Sequence, residues 1–416
     1  MGGVSHDRLP SERNPVAVIG FEPGPSGSKV LMSDDTESTD AEQFNAPKFT
    51  VDRSEYNDKL AGWFASHFSD RSDVTVTDLD IPVSTGFSNE TVMFTVNWTE
   101  GGDARSERFV GRIEPDDGGM FPIQTPACAV SSALQHRIMG VVAANSSAPI
   151  PPLLPYESDT SVMGREFYAM GFVEGVIPPD NPRYSQEGFL IDEATPDDRR
   201  RMNESGLEAM AAIHAIDWKA AGLDWLDPSG TGEPTVQHQI DLYRAFVAAE
   251  LDGREHPVMD ATLDWLAAND PKDERVGLSW GDARHGNIIW QDYEAAAVLD
   301  WEACALSPTE ADIGWWLMFD RMTFDDIEAE RMEGFPTREE MVAYYEQVSG
   351  REVRNAHYWE VFAAMRFAAI FIRLGDRLVA SGLLPDEMNP AVGNMVTESL
   401  SRLLDIENPT PNLLNR

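Results

Sequence analysis

The sequence predicts an α+β chain of two lobes: an N-terminal lobe built on a mixed β-sheet with helices, and a larger, mainly helical C-terminal lobe. Three observations carry this reading. Val92, Phe94, Val96 and Trp98 alternate with Thr91, Met93, Thr95 and Asn97, the period-two pattern of a half-buried strand. Beyond Leu207 apolar residues recur at helical spacing instead. Between helical stretches lies a single short hairpin, residues 278–302, that carries oxygen side chains at Asp282, Asn287 and Asp300.

The elements follow in order. Residues 1–46 hold Gly, Pro, Ser, Asp and Glu with few aromatics and read as a disordered tail. Val51, Tyr56, Leu60, Trp63 and Phe64 then mark an opening helix. A turn containing Gly86, Ser88 and Asn89 precedes the strand at 91–98, Glu100 to Asp103 is a second turn, and residues 108–113 return as the partner strand. A helix is expected at about 129–144. Pro149 to Pro152 then break the chain, and strands follow, ending in residues 165–175. After a Pro- and Asp-rich link the pattern turns helical: a helix through Leu207, Met210 and Ile213, then 236–251 and 261–268. Past the hairpin come a helix opened by 307–316, then 338–347, 356–380 and 390–404. His214, on an apolar face, reads as a satisfied core histidine.

Bulk properties narrow the function. A chain of 416 residues, 42% hydrophobic, can bury a substantial core. Its two cysteines cannot build a disulfide framework, no 18-residue apolar run is present, and no secretory leader pattern opens it. A cytoplasmic, membrane-free setting is the expectation. The net charge of −39, with 71 acidic against 32 basic residues, disfavours nucleic acid and anionic membrane surfaces. Solubility or salt adaptation accounts for such a charge, and steering of a cationic substrate is the alternative.

The hairpin carries the chemistry. Phosphoryl transfer asks a protein to position groups and to spread charge over metal ions. Asp282 suits the acceptance of a proton from an attacking hydroxyl. Magnesium wants oxygen ligands, which the amide of Asn287 and the carboxylate of Asp300 supply while leaving places for phosphates and water. By itself D-x-x-x-x-N is a weak pattern; followed by Leu299-Asp-Trp-Glu302 at this distance it is specific.

These residues resemble the catalytic core of the aminoglycoside phosphotransferase and choline kinase group, in the branch related to the kinase-like domain of some acyl-CoA dehydrogenases. The family's H-G-D-x-x-x-x-N reads Trp280-Gly-Asp282 to Asn287 here, with Trp280 in place of His. The resemblance implies a protein-kinase-like fold, with 47–172 as the nucleotide-binding lobe and 173–416 as the lobe of the catalytic loop and acceptor pocket. ATP and Mg2+ would be its cofactors and a small-molecule hydroxyl its acceptor. On that pattern Gly86, Ser88 and Asn89 form the phosphate-facing turn and Arg112 replaces the usual lysine on the phosphates. Met170 and Phe172 lie on the hinge that meets adenine, and Asp312 braces the catalytic loop. Gln135 stands where the wider family has Glu, leaving at best an Arg–Gln bond. Arg366, Arg373 and Arg377 are candidates for reading an anionic acceptor, with a core-bridging role as the other reading. A hydroxyacyl thioester is favoured over an aminoglycoside. The alternative function is a nucleotide-binding pseudokinase, while the absence of Asp-Phe-Gly and Ala-Pro-Glu landmarks argues against a protein kinase.

Overall fold

The structure is a computed structural model, and it describes residues 53–81, 89–272 and 275–412. The expected tail, Gly86 and Ser88 lie outside the described residues. Helix α1 (Tyr56–His67) buries Tyr56, Leu60, Trp63 and Phe64, the stripe visible in the sequence. Strands β1 (Arg71–Asp80), β2 (Glu90–Glu100), β3 (Asp103–Ile113), β4 (Leu153–Glu157) and β5 (Phe167–Gly171) form one sheet in the order β1-β2-β3-β5-β4. The sheet expected as mixed is antiparallel in all four pairings. Strand β1 had no place in the sequence reading. Only Val76 of its ten residues is buried, so its apolar signal is faint.

Strands β2 and β3 join through Gly101 and Gly102, both at positive φ, the turn geometry that matches strand twist in a two-residue hairpin. Gly111 faces Ala169 where β3 pairs with β5. Helix α2 (Ser131–Asn145) packs on β4 and β5. Its first turn is capped from outside: the Glu114 carboxylate accepts from the N–H groups of Ser131 and Ser132 at 3.2 and 2.7 Å. A short α3 (Thr160–Met163) links β4 to β5.

Short α4 (Phe189–Asp192) opens the helical lobe and leads into α5 (Pro196–His214), started by a reciprocal cap between Thr195 and Asp198. Helices α6 (Val236–Leu251) and α7 (Pro257–Ala268) precede two small antiparallel pairs. In the first, β6 (Val276–Ser279) pairs β9 (Ala305–Pro308); in the second, β7 (Ile288–Gln291) pairs β8 (Glu294–Val298). Helices α8 (Glu310–Thr323), α9 (Arg338–Ser349), α10 (Ala356–Ala380) and α11 (Met395–Leu404) complete the lobe. One apolar core runs from Val110, Leu134 and Met170 of the first lobe to Leu278, Trp280 and Trp290 of the second, so the two are packed as one body around the hairpin. No helix among the described residues is long and apolar enough to cross a membrane.

Candidate active site

Strand β6 ends at Ser279, and the next three residues are held in place by one side chain from α8. The fully buried Asp312 accepts from Ser279 Oγ at 2.7 Å, from the Trp280 N–H at 2.7 Å and from the Gly281 N–H at 2.8 Å. It also lies 2.8 Å from His214 Nε2, whose Nδ1 is 2.7 Å from the Tyr345 hydroxyl. Burial works against a charge on Asp312, but the contacts with His214, Ser279 and Gly281 outweigh it and hold the carboxyl below its ordinary value. His214 is thus a satisfied core histidine, and Asp312 is positioned to brace the loop. Gly281 sits at φ +93°, and a Cβ there would be 2.0 Å from the Ala303 carbonyl oxygen, so only glycine fits.

The loop presents Asp282, whose Oδ1 accepts from Trp315 Nε1 at 2.7 Å and from Arg284 Nε at 3.2 Å. Burial pushes its carboxyl up, while Arg284 opposes the shift. Arg284, two residues after Asp282, also bonds Asp180 at 2.5 Å. Sequence reasoning missed Arg284, although a cation inside the D-x-x-x-x-N loop was a visible signal. Asn287 donates through Nδ2 to the Asp282 carbonyl at 3.0 Å, and its own carbonyl accepts from the Leu299 N–H at 2.8 Å. That second bond ties the catalytic loop to the strand end that carries Asp300.

Trp280 makes the same tie from the other side. Its indole N–H donates to the carbonyls of Leu299, at 2.8 Å, and Asp300, at 3.2 Å, with the ring fully buried. A donor is therefore kept where the family has histidine. Asp300 itself stands at φ +56°, a left-handed conformation that costs a non-glycine residue free energy and is held by these bonds. Its Oδ1 is buried with no hydrogen-bond partner. A carboxylate oxygen so placed, with the Asn287 amide on the neighbouring loop, has the donor chemistry that suits a hard cation. No group of three His, Cys, Asp or Glu that could hold a metal ion gathers among the described residues.

On the sheet side, the Arg112 guanidinium bonds Thr91 Oγ1 at 2.6 Å. The buried Tyr168 phenol is pushed up to about 12 by desolvation. Arg112 opposes that shift and Asp300 and Glu302 add to it, so these three charges act on one hydroxyl. Asn89 does not face outward. Its amide donates to the Ile113 carbonyl at 3.3 Å and to Glu114 at 3.4 Å, and its oxygen accepts from Gln135 Nε2 at 2.8 Å. The expected phosphate contact through this side chain is therefore corrected: burial at 1% exposure leaves it anchoring the turn to β3 and α2. Gln135 likewise bonds Asn89 and Ser131 in place of Arg112. At the end of β5, Met170 pairs with Val110 and Leu153 and is buried. The N–H groups of Gly171 and Phe172 donate to the carbonyls of Pro152 and Arg108, and the Arg108 guanidinium lies 3.7 Å from the Phe172 ring centre.

Of the two readings for the arginines of α10, the structure shows the bridging one. Arg366 is buried and props the loop from behind, bonding the Gly281 carbonyl and the Tyr243 hydroxyl, both at 3.0 Å. Arg373 pairs with Glu250 at 2.7 Å and bonds the Gly119 carbonyl, while Arg377 bonds the Asp117 carbonyl. All three bridge elements of the core, so an acceptor would have to displace existing partners to meet them.

A cavity of about 270 Å³ opens beside the loop, with Asp282, Arg284, Asp300 and Glu302 in its lining. Its remaining walls are mostly apolar, among them Phe121, Trp315, Phe319, Phe367, Ile370 and Leu374. A sheet lobe, a helical lobe, a loop bearing Asp282 and Asn287 and a strand end bearing Asp300 beside a cavity are the arrangement of a phosphotransferase of the kinase-like class. The chain belongs to the phosphotransferase enzyme family, whose model matches residues 81–348. It is similar to acyl-CoA dehydrogenase family member 10 of Mus musculus, at 28% identity over 57% of this chain and 22% of that protein. It is also similar to the probable acyl-CoA dehydrogenase IBR3 of Arabidopsis thaliana, at 24% identity over 78% of this chain and 40% of that one. The chain thus spans between about a fifth and two fifths of these relatives. Among solved structures, a putative aminoglycoside phosphotransferase from Ralstonia eutropha shares the fold with TM-score 0.59 at 21% identity, covering 84% of this chain and 99% of that one.

Proposed function

We propose that this chain transfers the terminal phosphoryl group of ATP, in a magnesium-dependent reaction, to a hydroxyl on a small molecule whose body is largely apolar. A non-antibiotic metabolite such as a hydroxyacyl thioester fits this description better than an aminoglycoside. The observation that carries the reading is the cavity: Asp282 and Asp300 line it together with Asp180, Glu302, Arg183 and Arg284, and most of the remaining lining is Phe, Trp, Ile, Leu and Met. A polycationic sugar would call for carboxylates along the wall formed by Phe319, Phe367, Ile370 and Leu374, where the lining has none.

In this reading the acceptor hydroxyl loses its proton to Asp282 as its oxygen bonds the terminal phosphorus, and the bond from that phosphorus to the bridging oxygen of ADP breaks. Asn287 and Asp300 would hold the magnesium ion, which neutralises phosphate charge when bound. Arg284, fixed between Asp180 and Asp282, lies where it can stabilise the transferring group. Arg112 would meet the inner phosphates, with Gly86 and Ser88 of the preceding turn supplying backbone N–H groups. Met170 and Phe172 would lie against the adenine at the end of β5, where the N–H groups of Gly171 and Phe172 already donate to Pro152 and Arg108.

Incubation with ATP, magnesium and a panel of hydroxylated metabolites, aminoglycosides included, followed by mass spectrometry for the gain of one phosphoryl group, tests the assignment. Asp282→Ala is expected to reduce transfer at least ~100-fold. Transfer at the normal rate in that variant would remove Asp282 from its role, and a preference for aminoglycosides would overturn the acceptor class.

A further inference from the structure

With all three arginines of α10 engaged elsewhere, a different cation faces the cavity. Arg183 lines it, in the segment between β5 and α4 that the sequence reading passed over as a link. Its Nη2 contacts only the sulfur of Met395 at 3.4 Å, and it forms no ion pair among the described residues. The neighbouring guanidinium groups behave differently. Arg284 is paired to Asp180 and Asp282, Arg331 to Asp320 and Arg321 to Glu360. Burial pulls the pKa of Arg183 down, and Asp326, Tyr184 and Asp180 do not make up the difference; Arg284, Arg331 and Arg321 are raised by their carboxylate partners despite burial. A half-buried charge with a thioether for company is an unfavourable arrangement for the free protein, and an anionic ligand relieves it.

We infer that Arg183 is a specificity-determining residue of the acceptor site: it binds an anionic oxygen group carried by the hydroxylated, apolar acceptor whose chain lies along Phe319, Phe367, Ile370 and Leu374. The inference rests on the phosphotransfer reading for the identity of the site, and it adds the acceptor's charge. A guanidinium offers a fork of donors matched to a carboxylate or phosphate, whereas a polyamine would be repelled by it. Arg183 and Asp282 line the same cavity, so one molecule has its anion bound at Arg183 and its hydroxyl directed at Asp282.

The test uses three probes: a hydroxylated medium-chain carboxylic acid, its methyl ester and its coenzyme A thioester. Binding is measured by calorimetry and transfer by ADP formation with ATP and magnesium, in the wild-type chain, Arg183→Gln and Arg183→Lys. Arg183→Gln is expected to weaken binding and raise KM about 10- to 100-fold for an anionic acceptor. It should leave kcat, the KM for ATP and the methyl ester nearly unchanged, and Arg183→Lys should recover part of the loss. Loss with the acid places a carboxylate at Arg183, and loss with the thioester alone places a phosphate of its carrier there. Equal loss for the methyl ester, no loss for either anion, or a raised KM for ATP would overturn the inference. Arg183-dependent binding without any transfer would leave the anion site standing and remove the phosphotransfer reading instead.

Discussion

Replacement of Asp312 by alanine is the sharpest test of how the catalytic loop is held. One carboxylate accepts from Ser279 Oγ and from the N–H groups of Trp280 and Gly281, and contacts His214, all in a region closed to water. The hydroxyl can rotate and the imidazole keeps Tyr345, but the two backbone donors have nowhere else to turn. Each buried donor left unmade costs about 1–3 kcal/mol, so the two together amount to roughly 4 kcal/mol. At roughly 1.2 °C of Tm per kcal/mol for a chain of this length, the expected loss is about 5 °C, measured by differential scanning calorimetry. Freed donors also let Trp280 to Asp282 shift, and a displacement of about 1 Å of a catalytic group can cost on the order of 100-fold in rate. Asp312→Asn, which keeps an acceptor, should fall between. A Tm within about 2 °C of the wild type, with phosphotransfer intact, would refute the claim that this side chain holds the loop.

Two further outcomes follow from the same geometry. Trp280→Phe removes the donor shared by the Leu299 and Asp300 carbonyls; the magnesium concentration for half-maximal ATP turnover should rise roughly 5- to 10-fold, and an unchanged magnesium titration would count against the link between this indole and the metal ligand. His256, buried at the start of α7 with Nδ1 accepting from the Met259 N–H, has its pKa lowered by burial to about 4. Its contribution to stability is complete above the unfolded value near pH 6.5 and is lost as pH falls towards 4, at up to about 1.4 kcal/mol per pH unit. His256→Asn keeps a capping side chain without the titration, so its thermal stability should fall less steeply than the wild type between those limits; parallel curves would dismiss the effect.

What was legible in the sequence is what chemistry fixes over short distances. Asp282, Asn287 and Asp300 stood out by residue type and spacing, and the structure brings Asp282 and Asp300 to one cavity with Asn287 bonded to the Asp282 carbonyl. Helix stripes such as Tyr56, Leu60, Trp63 and Phe64 were legible because burial of one face imposes a period, and 236–251 and 356–380 carry the predicted bounds. Strand direction was not. The alternation in β2 is the same whichever way its neighbours run, and the pairings of β3 with β5 and of β5 with β4 are long-range choices.

Partner choice for each polar side chain was also beyond the sequence. Arg366 and Arg373 share a helical face, yet spacing along α10 cannot say that Gly281 and Glu250 lie opposite that face. Asn89 sits in a turn suited to phosphate, yet Gln135 and the end of β3 claim its amide. Arg183, in a Pro-rich link, has no local pattern at all; only the approach of α8, α10 and α11 places it at a cavity, with no ion pair among the described residues. The sequence by itself determined which oxygen side chains one loop and the strand end after it can offer, because that depends on a few residues close in the chain. The tertiary structure alone decided which charges are already neutralised and which still face the cavity, because hydrogen bonding and desolvation depend on neighbours that sequence distance does not encode.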